Sequence, residues 1–427
     1  MNVPRLEKEI GIRVYATKTP GIGGRLRQFP EDFMVEEVLE NGSAAKIEPP
    51  NIANITGHGR YLVWVLVKRN MDIFQAVQTI ANILGISTER IQVAGIKDAN
   101  AVTAQHVSIS RMLPEQATQI KTSNLWLYPL QFSNEKIHSG MLFGNQFRIT
   151  MRAINHPRST ITKRLENTNR ELLKLGGCPN FFGHQRFGTA RAITHTVGKH
   201  IILGEWEKAA LTFIAKPSPY EHPESRQARQ KLLGTQNYKE ALSYFPPRLV
   251  YERQMLNHLA KQHKDFMGAF HRLPKKLCQL FIHAYQSYLF NKFLSQRIQD
   301  NMQLKKPLKE DCKLTVNNED YLALPLVGYK LAPSTGKQGE IEKRTLKEEG
   351  VEPQNFRVTG MPEISSKGGL RTALTQLINL KMVEPSNNGA NLSNKMISLN
   401  FVLRKGSYAT IVLRELMKPR DPIKAGY

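Results

Sequence analysis

The chain has 427 residues, of which 41% are hydrophobic and 8% aromatic, so it is long enough for two or three domains with sizeable cores. Its 60 Lys and Arg residues outnumber its 36 Asp and Glu residues and give a formal net charge of +24, which favours a polyanionic partner. The three cysteines, Cys178, Cys278 and Cys312, are odd in number and form no CxxC pair, which argues against a disulfide framework and a cysteine-rich zinc site.

The positive charge is concentrated in the middle of the chain. Residues 101–300 carry 28 basic and 12 acidic side chains, so +16 of the net +24 lies there. No compact run of Lys and Arg accounts for it, which argues against a disordered basic tail and favours a folded surface that binds a phosphate backbone. A generally basic proteome would give the same composition.

The sequence predicts neither export nor a membrane anchor. Its first residues lack the apolar core of a signal peptide. The longest apolar run, residues 61–67, is far shorter than the roughly 20 residues needed to cross a bilayer. We therefore expect a cytoplasmic protein, and the cysteine count fits a reducing compartment.

Strand and helix patterns alternate in the first 110 residues. Strands are predicted at residues 33–38, 61–67, 91–95 and 107–109. After the second strand, Asp72 can cap a helix whose apolar residues have helical spacing, and Gly85 can end it. This order predicts an α+β sheet with helices on one face. Lys97 and Asp98 fall just past the end of the third strand.

Helical patterns dominate the rest of the chain. Helices are predicted at residues 160–175, 205–215, 238–243 and 276–299, with a polar, proline-marked stretch at 216–229. Further strands are predicted at residues 142–151, 313–316 and 321–324. Two last strands, at residues 399–403 and 408–413, are predicted to close the chain as a hairpin around Lys405 and Gly406.

Asp98 is the first candidate for chemistry. An Asp after a strand is usually a turn residue that bonds its own backbone. Here Lys97 is adjacent, Gly95 allows close backbone approach, and loops beyond strand ends often carry working side chains. A carboxylate in this position can act as a nucleophile or an electrostatic stabiliser at an anomeric carbon. The residues alone leave both interpretations open.

The second candidate is the glycine-bounded stretch at residues 180–188. Its three phenylalanines could simply join a core. However, Asn180, Gln185 and Arg186 are interleaved with them, and this combination favours a functional site. An aromatic ring such as Phe182 can stack on a flipped base, amides can read the base edges, and arginine can bind phosphate or carboxylate.

The sequence contains no recognisable cofactor or metal motif. The glycines at residues 21–24 follow no strand of a βαβ unit, so a dinucleotide site is not expected. His195 and His200 are five residues apart and do not share a helix face well, which argues against a metal pair. There is no HExxH motif and no phosphate-binding loop.

Five ordered motifs resemble those of the pseudouridine synthase D family of tRNA-modifying enzymes, in its archaeal-like form. Residues 26–36 resemble its PEDFxVxE opening, residues 95–105 its G-[LI]-K-D-x-x-A-x-T-x-Q motif, residues 180–188 its N-[YF]-F-G-x-Q-R-F-G motif, residues 286–291 its S-x-L-F-N helix, and residues 406–415 its closing G-S-Y-A-T-x-x-L-R-E. The resemblance runs nearly end to end, and five motifs in order are far more specific than one.

The resemblance implies roles for residues of the site. Asp98 would be the catalytic aspartate, with Lys97 as its neighbour. Phe182 would stack on the target uracil, and Asn180 would help to hold the loop around Asp98. Substrate-binding roles would also fall to Arg27, where family members place a basic residue facing the site, and to Arg186.

The sequence departs from the family pattern directly after the aspartate. Ala99 and Asn100 stand where bacterial members commonly have two arginines. This difference removes two possible phosphate contacts near the site.

The resemblance also implies the fold and the reaction. The fold would be a pseudouridine-synthase-type α+β domain with a mixed or antiparallel sheet, formed by residues 1–205 and 365–427. An inserted α+β family-specific domain would span residues 206–364. The protein would isomerise a uridine of tRNA, uridine 13 in the D arm, to pseudouridine. It would need no cofactor, because substrate and product are isomers, and it would act as a monomer.

Two alternatives remain at this stage. One is a non-catalytic RNA-binding or RNA-folding protein, which would keep its activity without Asp98. The other is an RNA methyltransferase, which would need a loop for S-adenosylmethionine.

Overall fold

The structure, a computed structural model, describes residues 2–48, 55, 57–113, 116, 120–316, 318–388 and 391–427. The α-helices in this part of the chain are α1 Arg5–Glu9, α2 Ile73–Leu84, α3 Arg158–Leu175, α4 Thr194–Ile202, α5 Trp206–Ala215, α6 Pro223–Thr235, α7 Tyr238–Tyr244, α8 Val250–Lys261, α9 Phe266–His271, α10 Lys275–Gln299, α11 Gly336–Glu349 and α12 Ala409–Met417. The strands are β1 Phe33–Leu39, β2 Tyr61–Arg69, β3 Ile91–Val93, β4 Val102–Ser110, β5 Lys121–Thr122, β6 Leu125–Ser133, β7 Leu142–Ile154, β8 Cys178–Pro179, β9 Lys313–Val316, β10 Glu319–Leu326, β11 Gly369–Thr372, β12 Leu374–Thr375, β13 Ile378–Met382, β14 Ser386–Asn388 and β15 Asn391–Arg404.

A ten-stranded mixed sheet is the largest sheet of the described residues. Its strand order is β13-β15-β7-β1-β4-β2-β6-β5, with β3 paired to β4 and β14 paired to β15. The central pair, β1 and β4, is parallel, whereas the other neighbours are antiparallel. The predicted α+β class with a mixed sheet is therefore confirmed.

Helices cover one face of this sheet at both ends and leave a polar strip between them. The register places Val35, Thr103 and Lys68 opposite one another on the central strands, so they share this face. At one end, α2 packs on Leu62, Trp64 and Leu66 of β2. At the other end, α3 and α12 share a buried cluster with apolar residues of β1, β7 and β15, namely Phe33, Val35, Phe147, Ile149, Leu399 and Phe401. The polar strip consists of four fully buried side chains, Glu37, Lys68, Thr103 and Gln105.

The ends of α2 follow the sequence signals. Asp72 accepts a hydrogen bond from the backbone N–H of Gln75, and Gly85 ends the helix in the left-handed region at φ 63°. The predicted helix is therefore confirmed at both ends.

One predicted element is wrong. The stretch predicted as a strand at residues 408–413 begins α12, and each of the nine residues of that helix is buried. A helix buried on every side lacks a polar stripe, so its apolar run resembles a strand. The polar, proline-marked stretch at residues 216–229 includes the start of α6, and the first residue of that helix, Pro223, occupies a position that tolerates proline.

A helical region around the long helix α10 completes the fold. Helix α10 packs against α4 and α11, and its buried residues belong to the same hydrophobic cluster as α3 and α12. Residues 206 and 364, at the predicted boundaries of the inserted domain, both pack in this cluster. The boundaries therefore stay a prediction. Within the described residues, no helix is both long and apolar enough to span a membrane.

Candidate active site

The loop after β3 places Asp98 at the edge of a cleft of about 570 Å³, which Phe33, Val35 and Phe147 line from the sheet. Oδ1 of Asp98 accepts a hydrogen bond of 2.7 Å from Nε2 of Gln185 and lies 3.6 Å from the guanidinium of Arg27. The Asp98 side chain is 28% exposed. One hydrogen-bond donor and one nearby cation therefore orient a carboxylate that solvent, or a substrate, can still reach.

Arg27 is held tightly in position. Its guanidinium lies 4.0 Å from the centre of the Phe33 ring and donates a 2.8 Å hydrogen bond to the carbonyl of Gly426. Its backbone has φ 54°, which is uncommon for a residue with a side chain and often accompanies functional sites. Burial lowers the pKa of Arg27, although the negative charge of Asp98 opposes that shift. The structure thus brings Arg27 and Asp98 together, as the resemblance implies.

Lys97, the neighbour of Asp98 in sequence, pairs with Glu37 rather than with the Asp98 carboxylate. Its ammonium lies 2.6 Å from the carboxylate of Glu37, and both side chains are buried. Burial by itself raises the pKa of Glu37, but hydrogen bonds and charges from His106 and Lys97 outweigh it and lower the pKa overall. A buried ammonium needs a buried carboxylate, and β1 supplies one directly beneath Lys97. Lys97 therefore anchors the loop, and Arg27 is the cation beside the Asp98 carboxylate.

Phe182, Asn180 and Arg186 gather around a different residue, Arg371. The Phe182 ring is only 6% exposed, and the Arg371 guanidinium lies 4.0 Å from its centre. The guanidinium of Arg186 lies 5.6 Å from the same ring. Stacking of a base on Phe182 stays a prediction, and it requires a rearrangement that uncovers this ring.

The side chain of Asn180 forms its hydrogen bonds with Arg371 and Thr372, not with the Asp98 loop that it was expected to hold. Its side chain accepts a 2.7 Å hydrogen bond from Arg371 and donates to Thr372. Among the described residues, Gln185 is the member of the 180–188 stretch that contacts the Asp98 carboxylate. The sequence pattern located the stretch, but it could not tell which amide faces the aspartate.

Tyr408 is the aromatic side chain of the closing motif that lines the cleft. It precedes α12, is half-buried, and its ring centre lies 6.1 Å from that of Phe182. Phe33 and Phe147 line the cleft from the sheet, and the exposed Phe74 of α2 lines its opposite side. The cleft therefore offers aromatic surface for a base next to an accessible carboxylate.

Comparison with known proteins identifies the family. The family model described as tRNA pseudouridine synthase D matches residues 9–323 and 313–416. A Methanosarcina acetivorans protein named "Probable tRNA pseudouridine synthase D" is 39% identical over 451 residues, which cover 99% of each chain. The chain belongs to the tRNA pseudouridine synthase D family.

More distant relatives and a solved structure agree with this assignment. A relative from Archaeoglobus fulgidus with the same name is 34% identical, over 97% of this chain and 99% of the relative. A crystal structure of a Methanosarcina mazei protein described as a tRNA pseudouridine synthase D is 38% identical. It matches with a TM-score of 0.84 over 99% of this chain and 100% of that one.

Family membership makes this tRNA pseudouridine synthase D homologue an isomerase that acts in tRNA modification. This assignment replaces the two alternatives left open by the sequence, a non-catalytic RNA-binding protein and a methyltransferase.

Sequence reasoning missed three residues that shape the site of this synthase. Lys68 binds the backbone of the Asp98 loop, Arg371 covers Phe182, and Gly426 holds Arg27. A lysine within an apolar strand is a visible signal for Lys68. The other two contacts join residues that are separated in sequence by 189 or more positions, and no local sequence pattern can indicate a contact over such a distance.

Proposed function

We propose that this synthase isomerises uridine 13 in the D arm of tRNA and that Asp98 is its catalytic aspartate. The observation that carries the proposal is the position of the Asp98 carboxylate in the cleft. Two carboxylates line the cleft among the described residues. Asp72 caps α2, whereas Asp98 is oriented by Arg27 and Gln185 and remains accessible.

The reaction requires one bond to break and another to form at the same sugar carbon. The bond between N1 of uracil and C1′ breaks, the ring turns, and C5 bonds to C1′. The C5 proton then leaves to solvent and N1 takes up a proton, so that the product is an isomer of the substrate. The carboxylate of Asp98 either attacks C1′ or promotes a glycal intermediate. In both routes the carboxylate acts through its negative charge, and the guanidinium of Arg27 lies 3.6 Å from it.

We assign the ring that stacks on the flipped uracil to Tyr408. Its half-buried ring borders the same cleft as Asp98, whereas Phe182 lies behind it under Arg371. Stacking of a base on an aromatic ring contributes about 1–3 kcal/mol. Phe182 would then support Tyr408 from the core.

Paired substitutions distinguish the two rings. Tyr408→Ala is expected to slow single-turnover isomerisation about tenfold to a hundredfold, since the stacking energy is lost, while Tyr408→Phe keeps most of the rate. Phe182→Ala is expected to lower the free energy of unfolding by about 3–5 kcal/mol, as large core truncations do. A folded, inactive Phe182→Ala beside a fully active Tyr408→Ala would instead assign stacking to Phe182.

The target position is tested with tRNA transcripts. The wild-type synthase should form pseudouridine at position 13 of an unmodified transcript, without any added cofactor. A matched transcript with cytidine at position 13 should yield none. Formation of pseudouridine elsewhere, in amounts unchanged by the cytidine, would contradict the assignment to position 13. A monomer and a cytoplasmic location stay predictions from the sequence.

A further inference from the structure

A buried lysine that the proposed chemistry does not use lies directly beneath Asp98. Lys68 is at the end of β2 on the helix-bearing face of the sheet, and it is 0% exposed. Its Nζ donates one hydrogen bond of 2.6 Å to the backbone carbonyl of Asp98 and another of 2.8 Å to the carbonyl of Met71. One side chain therefore joins the sheet, the aspartate loop and the residue before the cap of α2.

Burial of this ammonium is costly. Among the described residues, no carboxylate lies within ion-pair distance of Lys68. Burial lowers the pKa of Lys68 to about 8, opposed by the charges of Asp98 and Asp72 and assisted by that of Lys97. An apolar residue would avoid this cost. The neighbouring inward positions of β2 are occupied by apolar residues, namely Leu62, Trp64 and Leu66. A hydrogen-bonding role therefore explains the lysine better than packing does.

The aspartate loop depends on side chains for its shape. Between β3 and β4, Gln105 donates to the carbonyl of Gly95, and Glu37 pairs with Lys97. Lys68 donates a hydrogen bond to the backbone carbonyl of Asp98 itself. The other contacts of Asp98, from Gln185 and Arg27, reach only the carboxylate. Lys68 thus fixes the point from which the reactive side chain extends.

We infer that Lys68 is a positioning residue for the isomerisation, which holds the Asp98 backbone at the distance from the sheet that the reaction needs. The inference rests on the proposed role of Asp98. It separates two functions of the loop: Lys97 and Glu37 stabilise the fold, whereas Lys68 sets the geometry of the carboxylate.

The test is Lys68→Met, which keeps the length of the side chain but removes the donor. The single-turnover rate at saturating tRNA is expected to fall about a hundredfold, because a displacement of about 1 Å of a reacting group can cost that much. The dissociation constant for tRNA should stay within about twofold, since phosphate contacts elsewhere dominate affinity. Lys68→Gln, which keeps N–H donors on a shorter side chain, should have an intermediate rate.

Thr103→Val is the matched control. Thr103 is opposite Lys68 in the register and is fully buried, and its hydroxyl has no hydrogen-bond partner in the described part of the chain. It should keep the wild-type rate. Melting temperatures of all variants show whether they are folded at the assay temperature, and Lys68→Gln carries the test if Lys68→Met is not.

Three outcomes would overturn the inference. The first is a wild-type rate in Lys68→Met. The second is a weakened tRNA affinity that accounts for the whole loss of rate. The third is recovery of the rate on cooling to a temperature at which the variant is fully folded. Asp98→Asn is assayed in parallel. If it is inactive while Lys68→Met is fully active, only the role of Lys68 fails. If it is active, the proposed function fails.

Discussion

Replacement of Lys97 by Met is expected to lower the free energy of unfolding by about 3–5 kcal/mol. The substitution leaves the Glu37 carboxylate, which has a fully buried side chain, without its 2.6 Å ammonium partner. Among the described residues, His106 is then the ionisable side chain that remains paired with it. Truncation of one member of a buried pair exposes the full desolvation cost of the other member. Urea denaturation of the wild type and the variant measures this difference.

A matched exposed pair and a double replacement make this test specific. Arg5→Ala breaks the exposed pair between Arg5 and Glu9, and it should change stability little. Replacement of both Lys97 by Met and Glu37 by Leu should recover part of the lost stability, because no unpaired charge remains. A Lys97→Met protein as stable as the wild type would show that the pair does not anchor the loop.

Asp98→Asn is expected to reduce isomerisation by on the order of a thousandfold or more, as loss of a group that acts directly on the reacting atoms does in other enzymes. An amide has the shape of the carboxylate, but it cannot supply the negative charge that an anomeric centre requires. The fold should persist, because Asp98 is partly exposed and its hydrogen bond from Gln185 can be made to an amide oxygen. Binding of tRNA should also persist, since many distributed phosphate contacts determine affinity.

The elements that border the site could be predicted because their signals are local. Asp72 and Gly85 mark the ends of α2, and the apolar run of β2 is bounded by polar residues. The position of Asp98 just past β3 followed from the same reasoning. By contrast, α12 was predicted as a strand, because burial on all sides removes the periodicity from which a helix is recognised.

The contacts within the site could be predicted only in part. The resemblance places Arg27 at the site, and in the structure it lies 3.6 Å from Asp98 although 71 positions separate the two residues. Lys97 is adjacent to Asp98 in sequence, but its ammonium pairs with Glu37, a contact that adjacency could not indicate. Contacts made by Gly426 and Arg371 depend on the tertiary fold, which no spacing in the sequence encodes.

Several motif residues have structural rather than chemical contacts. Asp32 of the opening motif caps the turn before β1 and pairs with Arg152 at 2.7 Å. Asn291 of the α10 motif accepts from and donates to the backbone of Phe182. Arg414 of the closing motif is buried against Glu7 and Glu415, so it ties α12 to the first helix. Such residues position the cleft without lining it.

The central claim is that the Asp98 carboxylate performs the isomerisation. Its most direct test is the release of tritium from tRNA that carries uridine labelled at C5, because the C5 hydrogen leaves only when C5 bonds to C1′. The label release is measured in a single turnover with the Asp98→Asn variant, beside a titration of tRNA binding. We expect no release above the enzyme-free control, with tRNA bound as tightly as by the wild type. Substantial release by Asp98→Asn, with little change in stability, would identify Asp98 as a turn residue and contradict the account.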